Sequence, residues 1–247
     1  MSSKYQFRRV ITAFLAVMIV SAWLMLNPNS YDTIFTNPAT NATDYNAIAI
    51  TEYDPNAPLA AEILHKLEIK GRAPKTGYAR EKFYTEWPLI NGCSLRQHII
   101  KREFGEHFTL NKDNCNITSG EYDEPYTGEH KTYPTRADIN NNIQIDHVVA
   151  LSDAWQKGAQ NLTAAERYEL ATDPLNLLAV DSTANQNKSD SDAATWLPSN
   201  KSFRCQYVAR QVSVKYKYHL WVTQAEYDTI EKILEHCPSE PAIGISL

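Results

Sequence analysis

Positive charge is in short supply in this chain. Its 247 residues hold 24 Lys and Arg against 29 Asp and Glu, a formal net charge of -5. Many nucleic-acid binders are basic overall, so the composition alone points away from a tight one. The four cysteines, Cys93, Cys115, Cys205 and Cys237, never form a Cys-x-x-Cys pair, which argues against a thiolate zinc site. Internal repeats are missing, and glycine, at 8 residues, is far too sparse for a collagen-like chain. At 43% hydrophobic and 21% charged, the sequence is neither disordered throughout nor a polytopic membrane protein. The length suits one ordinary domain or two small ones.

What is present begins with an N-terminal address. Residues 1–9 carry Lys4, Arg8 and Arg9 and no acid, and residues 10–26 are apolar except for Thr12 and Ser21. A basic stub before an apolar run reads as a secretory signal or a membrane anchor. Residues 1–26 are therefore expected to export the rest, as a secreted protein or one held at the outer face of the membrane. Residues 27–56, rich in Asn, Thr, Asp and Pro, read as a tether, residues 57–238 as one domain, and residues 239–247 as a tail. An even cysteine count in an exported chain predicts two disulfides. The local pairing, Cys93–Cys115 and Cys205–Cys237, is expected because each pair brackets one compact segment.

Apolar spacing predicts helices after Pro58 and Cys93, over residues 163–171 (Thr163 and Glu166 forming a capping box), and over 206–218 and 224–236. Residues 111–142 read as hairpins and loops. Ile143-Gln144-Ile145 is an alternating strand leading into Asp146-His147. Leu175 to Val180 is an apolar run that fits a buried strand, and a short helix is expected from Ser182 or Thr183 through Lys188.

The chemistry lies in the order of these pieces. Strand, loop, strand and helix fold into a clasp over residues 143–190 in which Asp146 and Asn185 can offer two oxygens to one hard cation. Two protein oxygens with open water positions suit Mg²⁺. His147, beside a ligand, is free to act as a general base, with an ordinary pKa of about 6.5. Asn176 can bridge loop carbonyls and hold the His147 segment. Lys188 lies one helical turn beyond Asn185 and is expected to reach a phosphate oxygen.

IDHVVALSDAWQKGA and DPLNLLAVDSTANQNKSDSDAATWLP resemble the HNH endonucleases in their Asp-His…Asn…Asn form. More narrowly, they are similar to secreted bacterial proteins related to the C-terminal domain of the GmrSD restriction enzymes. GRAPKTGYAREKF, NGCSLR and CQYVARQVSVKYKYHLWVT extend the likeness over most of residues 59–238. The resemblance implies an α+β, mainly helical domain around a ββα-metal (His-Me finger) motif. It assigns Asp146 and Asn185 as metal ligands, His147 as general base and Asn176 as the residue that stabilises the loop. Asn in place of His at the third motif position favours Mg²⁺ or Mn²⁺, one ion per site, over zinc. Lys188, with Arg80, Tyr78 and Arg204, is expected to contact nucleic acid. The implied activity is hydrolysis of phosphodiester bonds, in DNA first and RNA as the variant substrate, without strong sequence preference. The alternative is a surface-tethered module that binds or takes up DNA without cutting it. No protein partner is evident, and membrane contact is expected only through an uncleaved N-terminal segment.

Residues 66–103 carry a net +5, residues 188–217 a net +4, and residues 104–173 a net -7. The two basic segments are expected to converge beside Asp146 and Asn185. The charge then describes a hydrolase that grips phosphates locally and releases them readily.

Overall fold

The computed structural model describes residues 57–245. The expected signal or anchor over residues 1–26 and the tether over 27–56 lie outside the described residues. The domain opens with α1 (Ala60–Leu64), a 3-10 turn at Arg80–Lys82 and the antiparallel pair β1 (Leu89–Ile90) and β2 (Cys93–Ser94). Next come α2 (Leu95–Phe104) and a three-stranded antiparallel sheet of β3 (Phe108–Leu110), β4 (Ile117–Asp123) and β5 (His130–Tyr133). α3 (Arg136–Asn142) leads into β6 (Ile143–His147), and α4 (Leu151–Gln156) and α5 (Ala164–Thr172) separate β6 from β7 (Leu177–Asp181). The described chain closes through α6 (Ser182–Lys188), α7 (Arg204–Lys217) and α8 (Gln224–Leu234). The result is a mixed α+β domain of small sheets with eight α-helices among the described residues. No helix there is long and apolar enough to cross a membrane.

The β6–β7 pair holds the domain together. Its register runs from Ile143 opposite Asp181 to His147 opposite Leu177. Strand side chains alternate between faces, and here both faces are covered. Leu178 and Val180 pack with α1, α7 and α8, whereas Ile143, Leu177 and Ala179 pack with α2, β4 and α3. Burial on both faces explains why the β7 sequence is continuously apolar. A third core, around Phe83, Trp155, Leu170 and Val214, lies under the 80–84 segment.

Local chemistry fixes the ends of elements. Thr163 with Glu166 and Thr223 with Glu226 form capping boxes that satisfy the first N–H groups of α5 and α8. Gly120 has no alternative: a Cβ there would lie 2.3 Å from the Phe104 ring, which is laid against β4. Both disulfides form in the local pairing, Cys93–Cys115 and Cys205–Cys237.

Three expectations need correction. The first helix is shorter than its apolar spacing suggested, ending at Leu64. Residues 239–245 are not a free tail: Ala242, Ile243 and Ile245 are buried, and Ala242 N–H donates to Pro58 O at 2.8 Å. The basic segment 188–217 is not a surface patch. Tyr207 through Lys215 are buried without interruption along α7, which carries Arg210 and Lys215 inward, and Lys188 is buried as well. Lys217 at the surface is paired with Asp173 at 2.7 Å.

Candidate active site

β6 ends at His147, and its last two residues meet different surroundings. Asp146 lies on the α6 side. Its Oδ1 accepts from Lys188 Nζ at 2.9 Å, and its Oδ2 accepts from the Tyr126 hydroxyl. Burial raises the Asp146 carboxyl above its ordinary range, and Lys188 and Tyr126 offset only part of that. Asn185, one turn before Lys188, donates from Nδ2 to Gln144 Oε1 at 2.8 Å. Gln144 and Asp146 share a face of β6, so α6 brings Asn185 and Lys188 over the same strip of strand.

His147 is 5% exposed. Its Nε2 lies 2.9 Å from Ala171 O. A carbonyl only accepts, so Nε2 carries the proton and Nδ1 carries the lone pair. Burial pushes the imidazole down to about 3, with Arg80 and Lys188 adding to the effect against the pull of the Ala171 carbonyl. The ring is therefore neutral at pH 7, well below the ordinary histidine value expected from sequence. Trp87 covers it at 6.0 Å between centroids and 13° between planes, and Tyr84 lies at 5.7 Å.

Asn176 stands at the end of a 3-10 turn just before β7 rather than inside the strand. It is wholly buried and clamps the loop that follows His147. Its Oδ1 accepts from Val149 N–H at 2.8 Å, its Nδ2 donates to Leu170 O at 3.2 Å and Val149 O at 3.4 Å, and its own carbonyl accepts from Val148 N–H at 2.8 Å. One amide thus ties β6, α5 and β7 together at the histidine.

The four expected nucleic-acid contacts part company. Lys188 is completely buried, and its ammonium bonds Asp146 and His147 O, each at 2.9 Å, so no phosphate reaches it in this arrangement. Arg204 donates from Nε to Pro198 O at 2.8 Å, a local brace before α7. Tyr78 packs edge-on against Trp155, with ring centroids 6.2 Å apart. Arg80 is the exposed one of the four, beside the histidine: its guanidinium lies 5.1 Å from the Tyr84 ring centroid, and it donates to the Tyr84 hydroxyl. The two basic segments touch, through Arg72 with Asp192 and Lys75 with Asp190, but they offer no shared patch of free cations, because folding commits most of them to internal partners. Sequence reading missed Tyr84, Trp87 and Tyr126. An aromatic pair four to seven residues after Arg80 was the available signal, but it carries no polar pattern.

Whether these residues suit a divalent cation turns on their donors. Asp146 is a carboxylate whose one ammonium does not fully compensate its burial, and the Asn185 Oδ1 makes no hydrogen bond within the described chain. A carboxylate and an amide oxygen are the donor types of a hard-cation shell, and a cation at Asp146 would have to share an oxygen with the Lys188 ammonium.

Comparison with known proteins gives a consistent picture. The family model described as GmrSD restriction endonucleases, C-terminal domain, matches residues 94–233. An uncharacterized secreted protein of Arthroderma benhamiae is 35% identical over 186 residues, covering 74% of this chain and 87% of that protein. No solved structure matches the chain.

Proposed function

Since the chain belongs to the family of the GmrSD restriction endonuclease C-terminal domain, we propose that it is an exported, metal-dependent endonuclease of the HNH type. Its substrate is DNA, with RNA as a secondary substrate, cut without strong sequence preference. Residues 143–188 serve as its ββα-metal motif. The observation that carries this reading is the His147 tautomer: with Nε2–H held by Ala171 O, the lone pair of Nδ1 is left to accept a proton.

In the proposed reaction a water attacks the phosphorus in line, its proton passes to His147 Nδ1, and the bond to the 3′ oxygen breaks, that oxygen taking a proton from solvent, to leave a 5′ phosphate and a 3′ hydroxyl. An imidazole pushed down by burial to about 3 is a weak base before substrate binds. A phosphodiester anion beside it favours the imidazolium and raises its basicity when substrate is bound. Asp146 and Asn185 would hold the cation, Mg²⁺ or Mn²⁺. Bound there, it would supply Lewis-acid stabilisation of charge on the phosphate and the leaving oxygen. Asn176 keeps the His147 loop in register, and Lys188 and Tyr126 fix the two oxygens of Asp146. The two disulfides and the secreted relative support export.

The test is plasmid nicking by the purified chain with Mg²⁺, with Mn²⁺ and with chelator. Cutting is expected with either metal and not with chelator. His147→Ala is expected to slow it by about 10²–10⁴-fold. A His147→Ala protein that cuts at the wild-type rate would sink the assignment. Retention of DNA without nicking by the intact chain would favour the uptake module.

A further inference from the structure

We infer that Trp87 and Tyr84 form a stacking subsite for an unpaired nucleobase next to His147, so that the site takes single-stranded or locally unpaired nucleic acid. This rests on the nuclease reading above.

Two independent observations carry it. The first is the roof over the histidine. Trp87 and Tyr84 lie 4.9 Å apart between centroids and both face the His147 ring, yet each keeps part of its surface in solvent. Their loop follows the 3-10 turn at Arg80–Lys82 and precedes β1. The histidine is thus recessed beneath two rings. A base-paired duplex is stiff and keeps its bases turned inward, so its phosphates do not enter such a recess without moving both rings aside. An unpaired strand can lay a base against an aromatic face and bring its own phosphate down beside the imidazole.

The second is the shortage of free cations. Lys188, Arg210 and Lys215 are buried, Arg204 braces a carbonyl, and Lys217 pairs with Asp173. In the first basic segment, Arg72 is bound to Asp192 and Asp153, Lys75 to Asp190, and Arg102 to Glu103 and to two backbone carbonyls. Phosphate neutralisation, the main source of affinity for duplexes, has few groups to work with. Around the rings, Arg80 and Lys82 are answered by Glu81 and Glu86. Stacking does not need net charge, and every base has a π-face. Arg80, exposed over Tyr84, is placed to meet the phosphate of a stacked nucleotide.

The experiment measures binding by the full-length protein in chelator, so that cleavage does not enter. The probes are a short mixed-sequence DNA strand, that strand annealed to its complement, and an RNA strand of the same sequence. The single strands are expected to bind at least tenfold tighter than the duplex, with a shallow dependence on salt. Trp87→Ala is expected to weaken single-strand binding about tenfold or more, Tyr84→Ala less, and Trp87→Phe is expected to restore most of the loss. Duplex binding as tight as single-strand binding overturns the inference, as does no measurable binding of any probe. So does a Trp87→Ala protein that melts normally and binds as the wild type does. The Phe variant separates a lost ring face from a collapsed loop. Single-strand binding that depends on Trp87 in a protein that, with Mg²⁺ or Mn²⁺, cuts neither plasmid nor the single strands supports the subsite and refutes the nuclease reading, so the two fail separately.

Discussion

Two of the buried carboxylate centres in this domain are neutralised in opposite ways. In one, Asp153, Asp192 and Glu226 meet Lys157, Lys215 and Arg72. Lys157 alone lies 2.8 Å from Asp153, 2.7 Å from Asp192 and 2.7 Å from Glu226, and Lys215 lies 3.0 Å from Glu226. Burial by itself would raise Asp192, but Lys157 and Arg72 overcome it and hold the carboxyl at about 2. In the other centre Asp146 has one ammonium and one phenol, and burial wins. The first is a saturated knot that joins the segment after α1 to α4, α7, α8 and the segment after α6. Its three carboxylates are matched in number by three cations. The second still gains from added positive charge, and it adjoins a histidine with an unbonded nitrogen. Buried charge is therefore not itself the mark of a site. Incomplete neutralisation is the better mark.

The sharpest way to break this comparison is to remove the central cation from each centre. Lys157→Met leaves three buried carboxylates short of a partner and is expected to destabilise the domain by about 3–5 kcal/mol. Lys188→Met is expected to cost less, about 1–3 kcal/mol, because an Asp146 carboxyl already raised by burial can take a proton instead. Urea unfolding of both variants without divalent cation checks the order. Equal losses would mean that the two centres are neutralised alike.

A smaller effect is expected from the neutral clamp beside Asp146. Asn176→Ala leaves Val149 N–H buried without an acceptor and frees the loop after His147. It is expected to cost about 1–3 kcal/mol of stability and to slow nicking more than that loss of folded protein explains. Nicking rates measured well below the variant's melting temperature distinguish the two contributions. If activity falls only in step with the folded fraction, Asn176 supports the fold and not the histidine.

Much of this was readable along the chain, for identifiable reasons. Capping boxes are local chemistry, so Thr163 with Glu166 declared the start of α5 in the sequence. The β7 segment declared its double burial through an unbroken apolar run. Asp146, His147, Asn176 and Asn185 stood out as candidates because their order is a pattern. Tertiary choices were hidden. Lys188, Arg210 and Lys215 read as surface cations because charged side chains are usually solvated. Only the packed surroundings of α7, and the carboxylates of α4 and α8, turn Lys215 inward. Trp87 and Tyr84 carried no pattern in the sequence, and their position over His147 depends on a fold in which residues far apart in sequence become neighbours. Residues 239–245 read as a tail because a few apolar residues at a terminus carry no period, yet Ile243 and Ile245 find a place in the core.

The smallest expected effect is in acid, and it separates the two centres by sign. A carboxyl held low in the folded state contributes stability that is fully present above its unfolded value, about 3.9, and is lost as the pH falls through its folded value. For Asp192 that window runs from near 4 down to about 2. The loss there is expected to be on the order of 1 kcal/mol once screening by solvent is allowed for. A carboxyl held high behaves oppositely: its protonated form is favoured in the folded state, so acid does not draw stability out through Asp146. Acid unfolding of the metal-free protein is thus driven from the saturated knot. Asp192→Asn is expected to lower stability at neutral pH and to flatten its decline between pH 4 and 2, whereas Asp146→Asn leaves that decline in place. Urea titrations across this range read the slopes directly. A decline flattened by Asp146→Asn instead would show that Asp146 is held low by its partners, and the contrast between the two centres would be lost.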